Sequence, residues 1–96
     1  MDKSTLRIAI ARRLREERER VGYSASAFAR EADISREGLR LNEAGKRGMS
    51  ADLLASAARL GVDVQYVVTG VRSINLWDEV YLALAGWPAD QAVEGV

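Results

Sequence analysis

Cysteine and histidine are both absent from this chain of 96 residues. Disulfide stapling, thiol nucleophiles, imidazole bases and the usual structural zinc sites are excluded with them. The single proline, Pro88, blocks helix continuation only near the end. No apolar run approaches the roughly 18 residues that cross a bilayer. MDKSTLR opens a charged helix instead of an apolar signal segment, so the simplest expectation is a cytoplasmic protein with no membrane partner. Neither sign of charge dominates, with 14 basic and 14 acidic residues, which argues against indiscriminate polyanion binding. The balance conceals a split. Residues 1–49 hold 12 Lys and Arg against 8 Asp and Glu, net +4, while residues 50–96 hold 2 against 6, net −4. A local basic face remains available to an anionic partner, and the acidic half faces solvent or another protein. A chain of this length allows one domain plus a tail.

Apolar periodicity then predicts an all-α fold. Leu6, Ile10, Leu14 and Val21 fall on one face of a helix over about 5–21, with Ser4 as its cap and Gly22 as its stop. Ser24 opens a second helix with Phe28, Ala29 and Ala32 inward, and Ser35 opens a third only eleven residues later. Two helices set that close leave room for a sharp turn, the spacing of a helix-turn-helix. Ser50 caps a fourth helix carrying Leu53, Leu54, Ala57, Ala58 and Leu60. Asp63 caps a short fifth one closed by Gly70; its valines also fit a strand, but a lone strand has no partner. In the remaining segment Leu76, Trp77, Val80, Tyr81 and Leu84 line a further short helix ending at Gly86.

These elements carry a resemblance. IARRLREERERVGYSASAFAREADIS from Ile10, EAGKR from Glu43 and SADLLASAARLGVDVQYVVTG from Ser50 resemble the Cro/C1-type, or XRE, helix-turn-helix family of phage and bacterial repressors. The resemblance covers residues 10–70. It implies a five-helix, lambda-repressor-like DNA-binding domain over 1–70, with a C-terminal helical extension over 71–96. It further implies a sequence-specific transcriptional regulator, most simply a dimeric repressor of a palindromic double-stranded DNA operator, with 24–32 as supporting helix and 35–43 as recognition helix in the major groove.

The same resemblance nominates the site residues. Arg36, Glu37, Arg40 and Leu41 are the base-reading candidates: Arg36 for guanine O6 and N7, Glu37 for cytosine N4, Leu41 for a thymine methyl. Arg13, Ser24, Ser35, Asn42, Lys46 and Arg47 are the phosphate-contact candidates. Each has a plainer alternative. Glu37 also fits as an intrahelical partner of Arg40, Arg13 and Arg18 as braces of the fold or partners of Glu17 or Glu31, and Lys46 and Arg47 as a solvated face. The chain departs from the family at Ala25 and Arg36, where glutamine is frequent, and at Gly38, which stands for serine or threonine. Gly38 implies close approach, a helix that settles on DNA, or drift. Leu41 and Asn42 invert the usual order, leaving two resolutions: Leu41 outward with Asn42 inside, or a rotated last turn that buries Leu41.

The stripe of Leu76, Trp77, Val80, Tyr81 and Leu84 is too apolar for an isolated helix, so it folds back or meets a partner. A homodimer is the favoured reading, and an antirepressor or a toxin partner the alternative; the latter defines an antitoxin-like interaction module using this C-terminal aromatic helix, with DNA binding autoregulatory, weak or lost. Enzymatic function is not expected. Asp78 and Glu79 are adjacent, Ser24 and Ser35 have no histidine to activate them, and the glycines near Gly45 make no phosphate loop. No cofactor or metal is expected.

Overall fold

The computed structural model describes residues 2–73. Residues 74–96, and with them the interface candidates Leu76, Trp77, Val80, Tyr81 and Leu84, lie outside the described residues. Five helices follow one another: α1 (Lys3–Arg20), α2 (Ala25–Glu31), α3 (Arg36–Glu43), α4 (Ala51–Arg59) and α5 (Val64–Thr69). Among the described residues there is no strand, and no helix is long and apolar enough to cross a membrane.

Each helix begins at an oxygen-bearing side chain. Ser24, Ser35 and Ser50 accept from the amides of Ala27, Gly38 and Leu53 at 3.1, 2.8 and 3.0 Å, and Asp63 accepts from Tyr66 at 3.0 Å. These satisfy amides that the helices leave unpaired. The first cap is a correction. Asp2, not Ser4, caps α1, accepting from the amides of Ser4 at 2.6 Å and Thr5 at 3.3 Å. A carboxylate suits the positive end of the helix dipole better than a hydroxyl does, so the helix starts at Lys3.

The helix ends share a device. After α1, α2, α3 and α4, two successive amides turn back to carbonyls of the last turn, as with Ile34 to Ala29 at 2.9 Å and Lys46 to Leu41 at 3.0 Å. This motif places its pivot residue in the left-handed region. Gly22, Gly45 and Gly61 occupy it after α1, α3 and α4, but after α2 the pivot is Asp33, at φ 59°.

The core gathers Leu14, Phe28, Leu39, Ala57 and Val67, all without exposed surface, with Ala29, Ala32, Leu53 and Val62 around them. Full burial of a large apolar side chain contributes about 1.5–3 kcal/mol. Tyr23 meets Phe28 edge to face at 5.9 Å. Helix α1 crosses both α3 and α5, so it acts as the spine against which α2–α3 and α4–α5 pack.

The inward face of α1 differs from the expected stripe. Leu6 is 42 % exposed, whereas Ala11, Leu14, Glu17 and Arg18 are buried. Charges occupy this face because each finds a partner. Arg18 forks onto Glu43, with Nε at 2.7 Å and Nη2 at 3.2 Å, and donates to the Tyr23 carbonyl at 2.8 Å. Glu17 pairs neither with Arg13 nor with Arg18. It accepts from Arg20 at 2.8 Å, Arg72 at 2.7 Å and the Asp63 amide at 2.9 Å. Hydrogen bonding from Arg20, opposed by burial and aided by Arg72, brings its pKa from 4.5 to about 2. Arg72 also lies over the Tyr66 ring at 3.7 Å, and Ser73 donates to Asp63 at 2.9 and 3.0 Å. The contacts of the five-helix unit therefore run past residue 70.

Candidate nucleic-acid interface

The geometry around α2 and α3 follows from their caps and the turn between them. Seven of the named candidates, Ser24, Ser35, Arg36, Glu37, Arg40, Lys46 and Arg47, have exposed positions at the caps of α2 and α3, on α3 and in the following loop. Arg36 stands at the first position of α3, and its Nε donates to Ser26 Oγ on α2 at 3.2 Å. One turn further, Arg40 forks onto Glu37 at 2.7 and 2.8 Å. The Arg40 hydrogen bonds hold the Glu37 carboxyl below its ordinary range and raise the arginine in turn. Both side chains are more than half exposed, so solvent screens the pair and its contribution to stability is small. The intrahelical pairing weighed for Glu37 is thus present in the protein alone.

The inverted pair resolves in favour of the unrotated helix. Asn42 is 5 % exposed, and its amide nitrogen donates to the carbonyls of Arg47 at 3.2 Å and Gly48 at 3.0 Å. Asn42, named for phosphate contact, is instead an internal clamp on the loop after α3, because its amide satisfies two carbonyls that loop would otherwise leave unpaired. Leu41 is half-buried. Its carbonyl accepts from the amides of Lys46 at 3.0 Å and Arg47 at 3.3 Å, which curls the loop back against the helix and leaves both cationic side chains outside.

Two glycines are explained by close approach. A Cβ at Gly38 would lie 2.9 Å from Ser35 Oγ and 3.3 Å from Arg47 Nη1. The bare backbone lets the cap and the Arg47 guanidinium sit together over the first turn of α3. A Cβ at Gly45 would meet Ile8 of α1 at 3.1 Å, so this glycine supplies both the left-handed turn and the contact between loop and spine.

Arg13 goes elsewhere. Its Nη1 donates to the Val67 carbonyl at 3.1 Å, where a cation suits the C-terminal end of α5. Of its two expected roles, the structure gives it the bracing one. Ser26 and Arg15 were not anticipated. Ser26 meets Arg36 only through the packing of α2 on α3, a relation with no periodic trace in the sequence.

Between α1, the start of α2 and α3 lies an open groove of about 470 Å³, lined by Arg15, Arg18, Ala25, Arg36, Arg40, Glu43 and Ala44. Glu43 is spent on Arg18, with side-chain exposures of 11 % and 8 %. The groove is therefore cationic. Among the described residues no cluster of carboxylates, cysteines or histidines is disposed to hold a metal. Neither a protein-family model nor a curated protein matches the chain.

Proposed function

We propose that this chain is a sequence-specific DNA-binding transcriptional regulator with a lambda-repressor-like domain, acting in the cytoplasm as a homodimeric repressor of an approximately palindromic operator. One observation carries the reading: an exposed α3 face bearing Arg36, Glu37 and Arg40, backed by α2 and followed by a clamped loop with Lys46 and Arg47 outward. Long cations beside a helix of this kind suit phosphate, and a guanidinium at its start suits guanine. Both α2 and α3 also start with capped, exposed turns, whose remaining free amides are acceptable to phosphate oxygens.

The test selects duplexes from a randomised pool, then measures anisotropy on the selected sequence and on its scrambled counterpart from about 50 to 200 mM salt. Tighter binding to the selected duplex throughout is expected. Equal affinity for both at every salt concentration defeats the reading. The mutual pairing of Glu37 and Arg40 favours one second reading, a protein-interaction module whose α3 face is self-neutralised. That module would bind neither duplex.

A further inference from the structure

A second open groove, of about 240 Å³, lies between the start of α1 and the segment leading into α4. Leu6, Ile10 and Met49 form its apolar part, and Lys3 and Arg7 also line it. Ile10 and Met49 back onto the core, whereas Leu6 is 42 % exposed. A Cβ at Gly48 would meet the Arg7 guanidinium at 3.8 Å, so that cation lies along the loop side of the groove. Among the described residues no carboxylate pairs with Lys3 or Arg7.

The groove continues a face of α1 that is covered further along. Lys3, Leu6, Ile10, Arg13 and Glu17 follow one another at helical spacing on that face. The region of α5 covers its later part, where Arg13 donates to the Val67 carbonyl at 3.1 Å and Glu17 accepts from the Asp63 amide at 2.9 Å. The earlier part stays open at Leu6.

We infer that residues 87–96 of the same chain seat in this groove. Charge selects the C-terminal segment: residues 74–96 hold Asp78, Glu79, Asp90 and Glu94 with no Lys or Arg, which complements two cations that no described carboxylate neutralises. Length selects its last part. Ser73 is tied to Asp63, beside Glu17, and the fourteen residues of α1 from Glu17 back to Lys3 rise about 21 Å. The fourteen residues from Ser73 to Trp87 cover that distance even as a helix, and more if extended. Trp87 and Val93 then supply apolar surface, and Asp90 and Glu94 the acids. Tethering favours the chain's own segment over that of a second copy, because a short linker holds it at an effective concentration of about millimolar. Arg47 and Gly48 line the same groove, so the seated segment braces the loop that follows α3. The inference goes beyond the DNA-binding and homodimer readings, neither of which gives this groove an occupant.

Trp77 and Trp87 are the only tryptophans, so Trp77→Phe leaves Trp87 as the sole reporter. Acrylamide quenching of that full-length protein is expected to be several-fold weaker in buffer than in urea. Adding Leu6→Glu, at a position outside the core, is expected to hold the melting temperature and to raise quenching in buffer close to its value in urea. Lys3→Glu with Arg7→Glu is expected to do the same, and Asp90→Lys with Glu94→Lys on top of that pair to restore protection. Because the chain has no cysteine, Lys3→Cys with Glu94→Cys, bridged by a short bismaleimide, shows whose segment is seated. A bridge within one chain is expected, formed several-fold faster than in the control Arg59→Cys with Glu94→Cys on exposed α4. Quenching of Trp87 as strong in buffer as in urea, unchanged protection in a folded Leu6→Glu protein, or failure of the charge exchange to restore protection overturns the inference. A bridge joining two chains also overturns it and gives the groove to a second copy. None of these readouts involves a duplex, so the DNA-binding reading stands or falls separately.

Discussion

Replacing Glu17 with glutamine removes one buried charge and keeps the shape of the side chain. The carboxylate has no exposed surface and ties α1 to Arg20, Arg72 and the Asp63 amide. Its folded pKa of about 2 lies below the ordinary 4.5, so the ionised form is the one favoured by folding. The sign follows: this stabilisation is complete above about pH 4.5 and is lost as pH falls toward about 2. At 1.36 kcal/mol for each pH unit the gap corresponds to about 3 kcal/mol. Arg20 and Arg72 are 51 % and 37 % exposed, so solvent screening brings the expected cost of Glu17→Gln to about 2–3 kcal/mol near neutral pH. Urea melts of both proteins between about pH 7 and pH 2 measure it. The difference in stability is expected to be full near neutrality and to close as the wild-type carboxylate protonates. A difference that stays constant down to the lowest pH, or a variant as stable as wild type near pH 7, refutes the role given to this charge.

The pivot after α2 offers a cleaner backbone test. A left-handed conformation costs an L-residue about 1–2 kcal/mol, and glycine returns about 0.4–1 kcal/mol of that through the unfolded chain; Asp33→Gly is therefore expected to raise stability by about 0.5 kcal/mol, and a clear loss would show that the aspartate earns its place by another interaction. Arg36→Ala is expected to relax selectivity at one base pair by about 1–3 kcal/mol. Equal weakening across all single-base variants of the selected duplex would make Arg36 a phosphate contact. Replacing Trp77 and Tyr81 together with alanine is expected to weaken self-association of the full chain, which sedimentation at micromolar protein reads directly; an unchanged sedimentation coefficient removes these aromatics from the interface.

Much of the helix pattern was legible because its signals are local. Ser24, Ser35, Ser50 and Asp63 each mark a helix start, and Gly22, Gly45, Gly61 and Gly70 each take a left-handed turn. A cap needs only the three residues after it, and a glycine stop needs only its own missing Cβ. The one start misassigned, Ser4 for Asp2, was a choice between two oxygen-bearing residues two positions apart, decided by charge at the helix end. The α1 stripe misled for a different reason. Leu14 is buried and Ile10 and Val21 pack against the core as their spacing favours, but Leu6 does not; partner availability decides which polar residues can be buried, and Asp63, Arg72 and Glu43, among the partners of Glu17 and Arg18, lie 25 to 55 residues away.

The candidate site divides along the same line. Exposure of Arg36, Glu37 and Arg40 follows from helical phase once α3 is framed by Ser35 and Gly45. The inward turn of Asn42, the tucking of Arg47 over Gly38, the diversion of Arg13 to the end of α5 and the groove above Ala25 follow from how separate helices meet. By itself the sequence determined the helical character of the described residues, the charge asymmetry and most of the helix ends, since these depend on neighbours along the backbone. Tertiary structure alone decided which charges were taken inside and which were left exposed, because a buried charge is tolerated where it is given a partner, and several of these partners come from distant residues.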